Sequence, residues 1–203
     1  MANIGLYWKR FWRFIWEEDS IWSWIANIVL TFILIKYVVF PFLGLLLGTE
    51  FPVVAVVSTS MEHDEAFDQW WSSEALCEDR VCTQSVFYGM FNITKEEFKN
   101  FRFRNGFNKG DVMVLTSAQS IGIGDTAVFF AKDGRPIIHR VVSLDPIKTK
   151  GDHNKAQIMT SQLNENNVSR QDLIGKAWFR IPLLGYVKIL FVELASLFGV
   201  QVR

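Results

Sequence analysis

The stretch from Lys109 to Val142, KGDVMVLTSAQSIGIGDTAVFFAKDGRPIIHRVV, is decisive for the fold. Short apolar runs rich in valine and isoleucine, Val112 to Leu115, Ala127 to Ala131 and Ile137 to Val142, are separated by Gly110-Asp111, Gly124-Asp125 and the turn pair Asp133-Gly134. Runs of that length between glycine-bearing turns are strands rather than helices. Val53 to Val57 upstream has the same texture, and Gly151-Asp152 follows downstream. The expectation is a mainly β domain. No helix of convincing length interrupts these strands, which disfavours a Rossmann-like sheet, and neither G-x-G-x-x-G nor G-x-x-x-x-G-K-[ST] is present to cradle phosphates.

The 203 residues carry 21 basic and 21 acidic side chains, and half of them are hydrophobic. A disordered chain and a nucleic-acid binder are both disfavoured by that balance. Of eight tryptophans, Trp8, Trp12, Trp16, Trp22 and Trp24 crowd the N-terminus. Trp8, Phe11, Trp12, Ile15 and Trp16 share one helical face opposite Lys9, Arg10, Arg13 and Glu17, so residues 1–19 read as an interfacial amphipathic helix. Residues 20–48 follow as a transmembrane anchor: from Ile21 to Leu47 the one charge is Lys36, and a bilayer core needs about 20 helical residues. Lys9, Arg10 and Arg13 just before it place the N-terminus in the cytoplasm and the later chain outside. A second apolar run, Leu183 to Val200, carries Lys188 and Glu193, which favours a surface-lying or packed amphipathic helix over a second span. Alternatively Ile181 to Ile189 is a last strand and only the remainder of 183–203 is helical.

The extracytoplasmic part, 49–182, is broken at 62–108 by an acidic, aromatic segment that reads as an insertion. Thr94-Lys95-Glu96-Glu97 within it fits a capping box at a helix start. Cys77 and Cys82, the chain's two cysteines, favour a disulfide over free thiols on an oxidising face, and a zinc site lacks histidines in metal spacing. Asn92-Ile93-Thr94 and Asn167-Val168-Ser169 satisfy the glycosylation acceptor pattern.

Three histidines, His63, His139 and His153, limit imidazole chemistry. His139 lies on the Ile137 to Val142 strand, facing away from Ile138 and Arg140. Ser60 ends the valine-rich run just after the anchor, where a rigid strand would present its hydroxyl. Val57-Ser58-Thr59-Ser60-Met61, Lys109-Gly110-Asp111-Val112, Ile123-Gly124-Asp125, Pro136-Ile137-Ile138-His139-Arg140-Val141, Thr149-Lys150-Gly151-Asp152-His153-Asn154 and Ile174-Gly175-Lys176-Ala177 with Ile181-Pro182-Leu183-Leu184-Gly185 come in order along the chain. Together they resemble the boxes of type I signal peptidase in its archaeal and endoplasmic-reticulum form, where histidine replaces the lysine of most bacterial enzymes.

The resemblance implies a serine endopeptidase, without a cofactor, that removes signal peptides from exported preproteins at the outer membrane surface. By position Ser60 is its nucleophile, His139 its general base and Asp152 its essential acid, with Asp125 and Asp145 as fallbacks. Ser58 matches a position that helps build the oxyanion hole beside the Ser60 N–H. Two departures stand out: Ser60-Met61-Glu62-His63 replaces Ser-Met-x-Pro, and His153 replaces an asparagine after Gly151-Asp152. His63 and Lys132 are weaker candidates for the base. Val53 to Val57 is the expected edge for an extended substrate. Implied partners are preproteins, the lipid bilayer and the translocation channel. The competing reading, of a different class, is a non-catalytic membrane-anchored β module that binds exported proteins.

Overall fold

The computed structural model describes residues 4–78 and 80–186, and divides the chain into two compact units, Met1–Leu46 and Leu47–Arg203. In the first unit α1 (Ile4–Trp16) is amphipathic and α2 (Ile21–Leu34) apolar. Ser20 caps α2 by accepting the Ser23 N–H. Ser23 Oγ and Asn27 Nδ2 donate to the Phe14 and Ile15 carbonyls, 2.7 and 2.9 Å, meeting acceptors that the end of α1 leaves without helical partners. The helix continues through a π segment, Ile35–Val39, into α3 (Phe40–Leu47). Pro41 has no N–H and its ring crowds the carbonyl four residues back; the wider turn, with the Phe40 N–H reaching Ile35 O, relieves that clash. Ile21–Leu47 is thus one continuous helix long and apolar enough to cross a membrane, with none of its residues in the most apolar window buried.

The second unit is built on a six-stranded antiparallel sheet. In chain order its elements are β1 (Val53–Ala55), α4 (Phe67–Trp71), β2 (Glu74–Cys77), β3 (Arg80–Thr83), α5 (Gln84–Gly89), α6 (Lys95–Asn100), β4 (Val112–Thr116), β5 (Thr126–Phe130), β6 (Pro136–Leu144), β7 (Ile147–Lys150) and β8 (Leu173–Ile181). The sheet runs β1-β4-β8-β5-β6-β7, with β2 and β3 forming a separate hairpin. Among the described residues β1 is an edge strand, paired only with β4, and register shifts at Val114/Leu115, Val128/Phe129 and Val141/Ser143 bend the strands as bulges do. Val56, Met61, Phe107, Met113, Leu115, Val128 and Ala177 fill one core cluster, while Phe129, Val141, Ile147, Leu163 and Val168 belong to a second.

The valine-rich run is strand only as far as Ala55; beyond it Val56 still exchanges bonds with Asp111 O and the Gly110 N–H before the chain turns. Among the described residues the last strand ends at Ile181 and residues 182–185 form a turn, so the strand expected from Ile181 onward stops at its first residue. The remainder of the C-terminal run, from residue 187, lies outside the described residues. Segment 62–108 forms its own aromatic cluster, where Trp70, Trp71, Phe87, Tyr88 and Phe98 pack with Val142 of β6. Thr94 and Glu97 make the reciprocal capping box of α6, and a disulfide joins Cys77 to Cys82 across the β2–β3 hairpin.

Candidate active site

Ser60 sits in the turn that follows β1. Its carbonyl accepts the His153 N–H at 2.9 Å, and the next carbonyl, of Met61, accepts the Phe107 N–H at 3.0 Å, so backbone bonds hold the residue from both sides. Its hydroxyl lies 2.9 Å from His139 Nε2 and 3.1 Å from the Ser58 hydroxyl. His139 stands opposite Ala127 in the β5–β6 pairing and is 3 % exposed. Its other ring nitrogen, Nδ1, donates to Glu165 Oε1 at 2.5 Å.

Glu165 is completely buried, and its carboxylate is fully partnered: Oε1 also accepts the Thr149 hydroxyl and Oε2 the Ile158 N–H. Backbone bonds from Glu165 N–H to Ile158 O and from Thr149 N–H to Glu165 O lay this segment beside β7. A carboxylate so placed fixes the imidazole with its proton on Nδ1, leaving Nε2 free to accept the serine proton. Sequence reasoning missed this acid. The one signal for it is Leu163-x-Glu165, which on an extended segment puts Glu165 on the same side as a buried leucine.

Asp152, expected at His139, instead closes on Arg140. The Arg140 Nη2 donates to Asp152 Oδ2 at 2.5 Å and its Nε to Oδ1 at 2.9 Å, while the remaining donors meet the carbonyls of Arg102, Phe103 and Gly124. Alternation along β6 explains the separation: adjacent residues face opposite sides, so His139 serves the serine and Arg140 the aspartate. Tyr88 OH and His63 Nε2 complete the Asp152 cluster at 2.9 and 3.2 Å. Burial pushes the Asp152 carboxyl upward, but the Arg140 charge and the hydrogen bonds from His63 and Arg140 outweigh it and hold the group well below the usual carboxylate range. Burial also opposes the Arg140 charge, yet Asp152 raises its pKa overall.

The remaining ionisable candidates are engaged elsewhere or exposed. His63 stacks on Trp70, ring centroids 3.7 Å apart, with Nε2 committed to Asp152. His153 pairs loosely with Asp64 at 3.4 Å, Asp125 meets Lys176 at 3.0 Å, and Asp145 and Lys132 are exposed. Gly151 is required by packing: a Cβ there would lie 2.7 Å from Ser60 O and 2.9 Å from His139 Nε2. Beside Ser60 and His139 a cleft of about 300 Å³ is walled by Val54, Ala55, Val57, Val128, Ile137 and Ile138.

Hydroxyl, imidazole and carboxylate in hydrogen-bonded series form the side-chain arrangement of serine-type hydrolases. No family model matches the sequence. Its homologues are proteins named Signal peptidase complex catalytic subunit SEC11. The one from Verticillium alfalfae is 33% identical over 98 residues, covering 43% of this chain and 57% of the relative. The one from Ogataea parapolymorpha is 28% identical over 107 residues, 43% and 61%, and the one from Clavispora lusitaniae 33% over 97 residues, 43% and 58%. The match spans less than two thirds of the length of each of these relatives.

Proposed function

We propose that this chain is a membrane-anchored signal peptidase, a serine endopeptidase that cuts signal peptides from exported preproteins. The observation that carries the reading is the Ser60–His139–Glu165 series, 2.9 Å and 2.5 Å between successive partners, on a β domain whose homologues are named as signal peptidase catalytic subunits. His139 takes the Ser60 proton as the hydroxyl oxygen attacks the scissile carbonyl, then gives it to the departing amine. Water, activated by the same imidazole, then releases the acyl group from Ser60. Glu165 orients His139 and stabilises the imidazolium, a role the sequence assigned to Asp152. Asp152 serves instead as the buried counter-charge of Arg140. The Ser60 N–H and the Ser58 hydroxyl are the donors for the developing oxyanion.

The extended cleavage segment pairs with the exposed edge of β1, and the apolar walls of the adjoining cleft select small side chains. Anchoring by Ile21–Leu47 confines enzyme and signal-bearing substrate to one thin layer, which raises their encounter frequency. The N-terminus is cytoplasmic and the β domain lies on the outer side; preproteins, the lipid bilayer and the translocation channel are the partners of this reading. The test is incubation of the full chain in detergent micelles with a signal-bearing preprotein, product masses locating the cut. Cleavage at the signal junction, absent from Ser60→Ala, is expected. Folded chain that leaves the preprotein whole would favour the non-catalytic module.

A further inference from the structure

Segment 62–108 bonds to Lys150, Asp152, His153 and Asn154, in the run that backs the serine and histidine. Trp70 Nε1 donates to Asp152 O at 3.2 Å and Tyr88 OH to Asp152 Oδ1 at 2.9 Å. The connection made by Gln84, at the first turn of α5, is of a different kind. Gln84 is 1 % exposed, and both ends of its amide are engaged: Oε1 accepts from Lys150 Nζ at 2.9 Å, and Nε2 donates to Asn154 O at 3.3 Å. These two partners bracket Gly151, Asp152 and His153. Lys150 Nζ donates at the same time to Gly151 O at 3.0 Å and lies over the rings of Phe87 and Tyr88, 5.0 and 5.4 Å from their centroids.

The bracketed residues are those that meet the reacting pair. His153 N–H holds Ser60 O, and the α-carbon of Gly151 sits so close that an added methyl would collide with Ser60 O and His139 Nε2. A shift of this backbone by a fraction of an ångström therefore changes the distance between the Ser60 hydroxyl and His139. Among the described residues no other side chain bonds to both ends of the run, and Lys150 meets no carboxylate there, so its ammonium depends on the neutral amide and the Gly151 carbonyl.

We propose that Gln84 is a positioning residue for the Ser60–His139 pair: its amide bridges Lys150 and Asn154, and so clamps the Gly151–His153 backbone against the serine and the histidine. The inserted segment thereby acts in catalysis through one polar contact set in an aromatic core, without touching substrate. This rests on Ser60 and His139 being the reacting residues.

The experiment is steady-state cleavage of a signal-bearing preprotein by the full chain in detergent micelles, comparing Gln84→Leu, Gln84→Glu and Ser60→Ala. Gln84→Leu keeps the volume but makes neither bond; a small misplacement of reacting atoms lowers kcat by about 10- to 100-fold. KM is expected within about twofold, because Gln84 does not line the cleft. Gln84→Glu keeps the acceptor for Lys150 but sets a carboxylate oxygen against Asn154 O in place of the N–H donor, so it restores half of the bridge and is expected to recover part of the lost kcat, to between Gln84→Leu and the intact chain, a rescue that lost packing alone would not give. If Gln84→Leu melts below the assay temperature, Gln84→Asn, one methylene too short to span both partners, takes its place under the same criterion. A kcat within twofold of the intact chain, a loss confined to KM, or no recovery in Gln84→Glu overturns the proposal. Ser60→Ala separates the two readings: if it cleaves as well as the intact chain, the serine assignment fails; if it is inactive while Gln84→Leu is fully active, the clamp alone fails.

Discussion

Replacing Glu165 by glutamine removes one negative charge and leaves the shape of the side chain nearly intact. The carboxylate accepts from His139 Nδ1, Thr149 Oγ1 and the Ile158 N–H, whereas the glutamine has one acceptor oxygen and brings an NH₂ that must face one of these donors. Its larger effect is on the transition state, in which His139 is positively charged. A carboxylate about 4 Å from an imidazolium centre, at an effective dielectric constant near 20, stabilises it by about 4 kcal/mol. Since about 1.4 kcal/mol is tenfold in rate, Glu165→Gln is expected to lower kcat about 1,000-fold. The side chain is buried behind the imidazole, so KM is expected within a fewfold of the intact chain. Initial rates of preprotein cleavage in detergent micelles, with melting temperature read on the same samples, make the measurement. A Glu165→Gln chain that is folded and retains more than a tenth of the intact kcat would refute the reasoning and return the orienting role to another group.

Asp152→Asn is expected to act chiefly on stability. It leaves Arg140 charged and buried without its counter-ion, a loss of about 3–5 kcal/mol that appears as a lowered melting temperature. Because the Asp152 pKa is lowered by folding, its contribution is complete above the ordinary value near 4 and declines as pH falls through the lower folded value; acid unfolding of the intact chain should steepen there relative to Asp152→Asn. Lys150 gives a slope of the same sign at the alkaline end: burial lowers it to about 8, so between about 8 and 10.5 the unfolded chain binds more protons and stability rises with pH, by about 3 kcal/mol in all. Lys150→Met should abolish that rise, and parallel stability curves for the two chains from pH 7.5 to 10.5 would contradict it. Gly151→Ala, whose methyl would press on Ser60 O and His139 Nε2, is expected to lower kcat at least tenfold with little change in far-ultraviolet circular dichroism.

The strands that carry the site were legible where apolar runs lie between turns. Gly110 and Gly124 adopt positive φ, and Asp111 and Asp125 accept the Asn108 and Gly122 N–H groups, so the Gly-Asp pairs mark real chain reversals before β4 and β5. β7 and β8 were obscured for physical reasons. Ile147-Lys148-Thr149-Lys150 reads as polar, although Thr149 and Lys150 are fully buried through bonds to Glu165, Gln84 and the Gly151 carbonyl. In β8, Gly175 breaks the alternation because the backbone of Thr116 passes where its Cβ would be, 2.7 Å away. Ser60 and His139 could be found because ordered boxes surround them, whereas Glu165 lies in a polar loop after Gln162 and is brought to His139 only by the pairing of that loop with β7. Asp152 was the nearer acid in sequence, but the strand period gives it to Arg140.

The most direct test of the central claim, that Ser60 and His139 act as one catalytic unit, is the kcat for preprotein cleavage of Ser60→Ala, His139→Ala and the double variant in the same membranes. Residues that act as a unit are grossly non-additive. The account predicts that each single variant loses nearly all cleavage at the signal junction and that the double variant loses no more; losses that multiply, or either single variant cleaving like the intact chain, would contradict it.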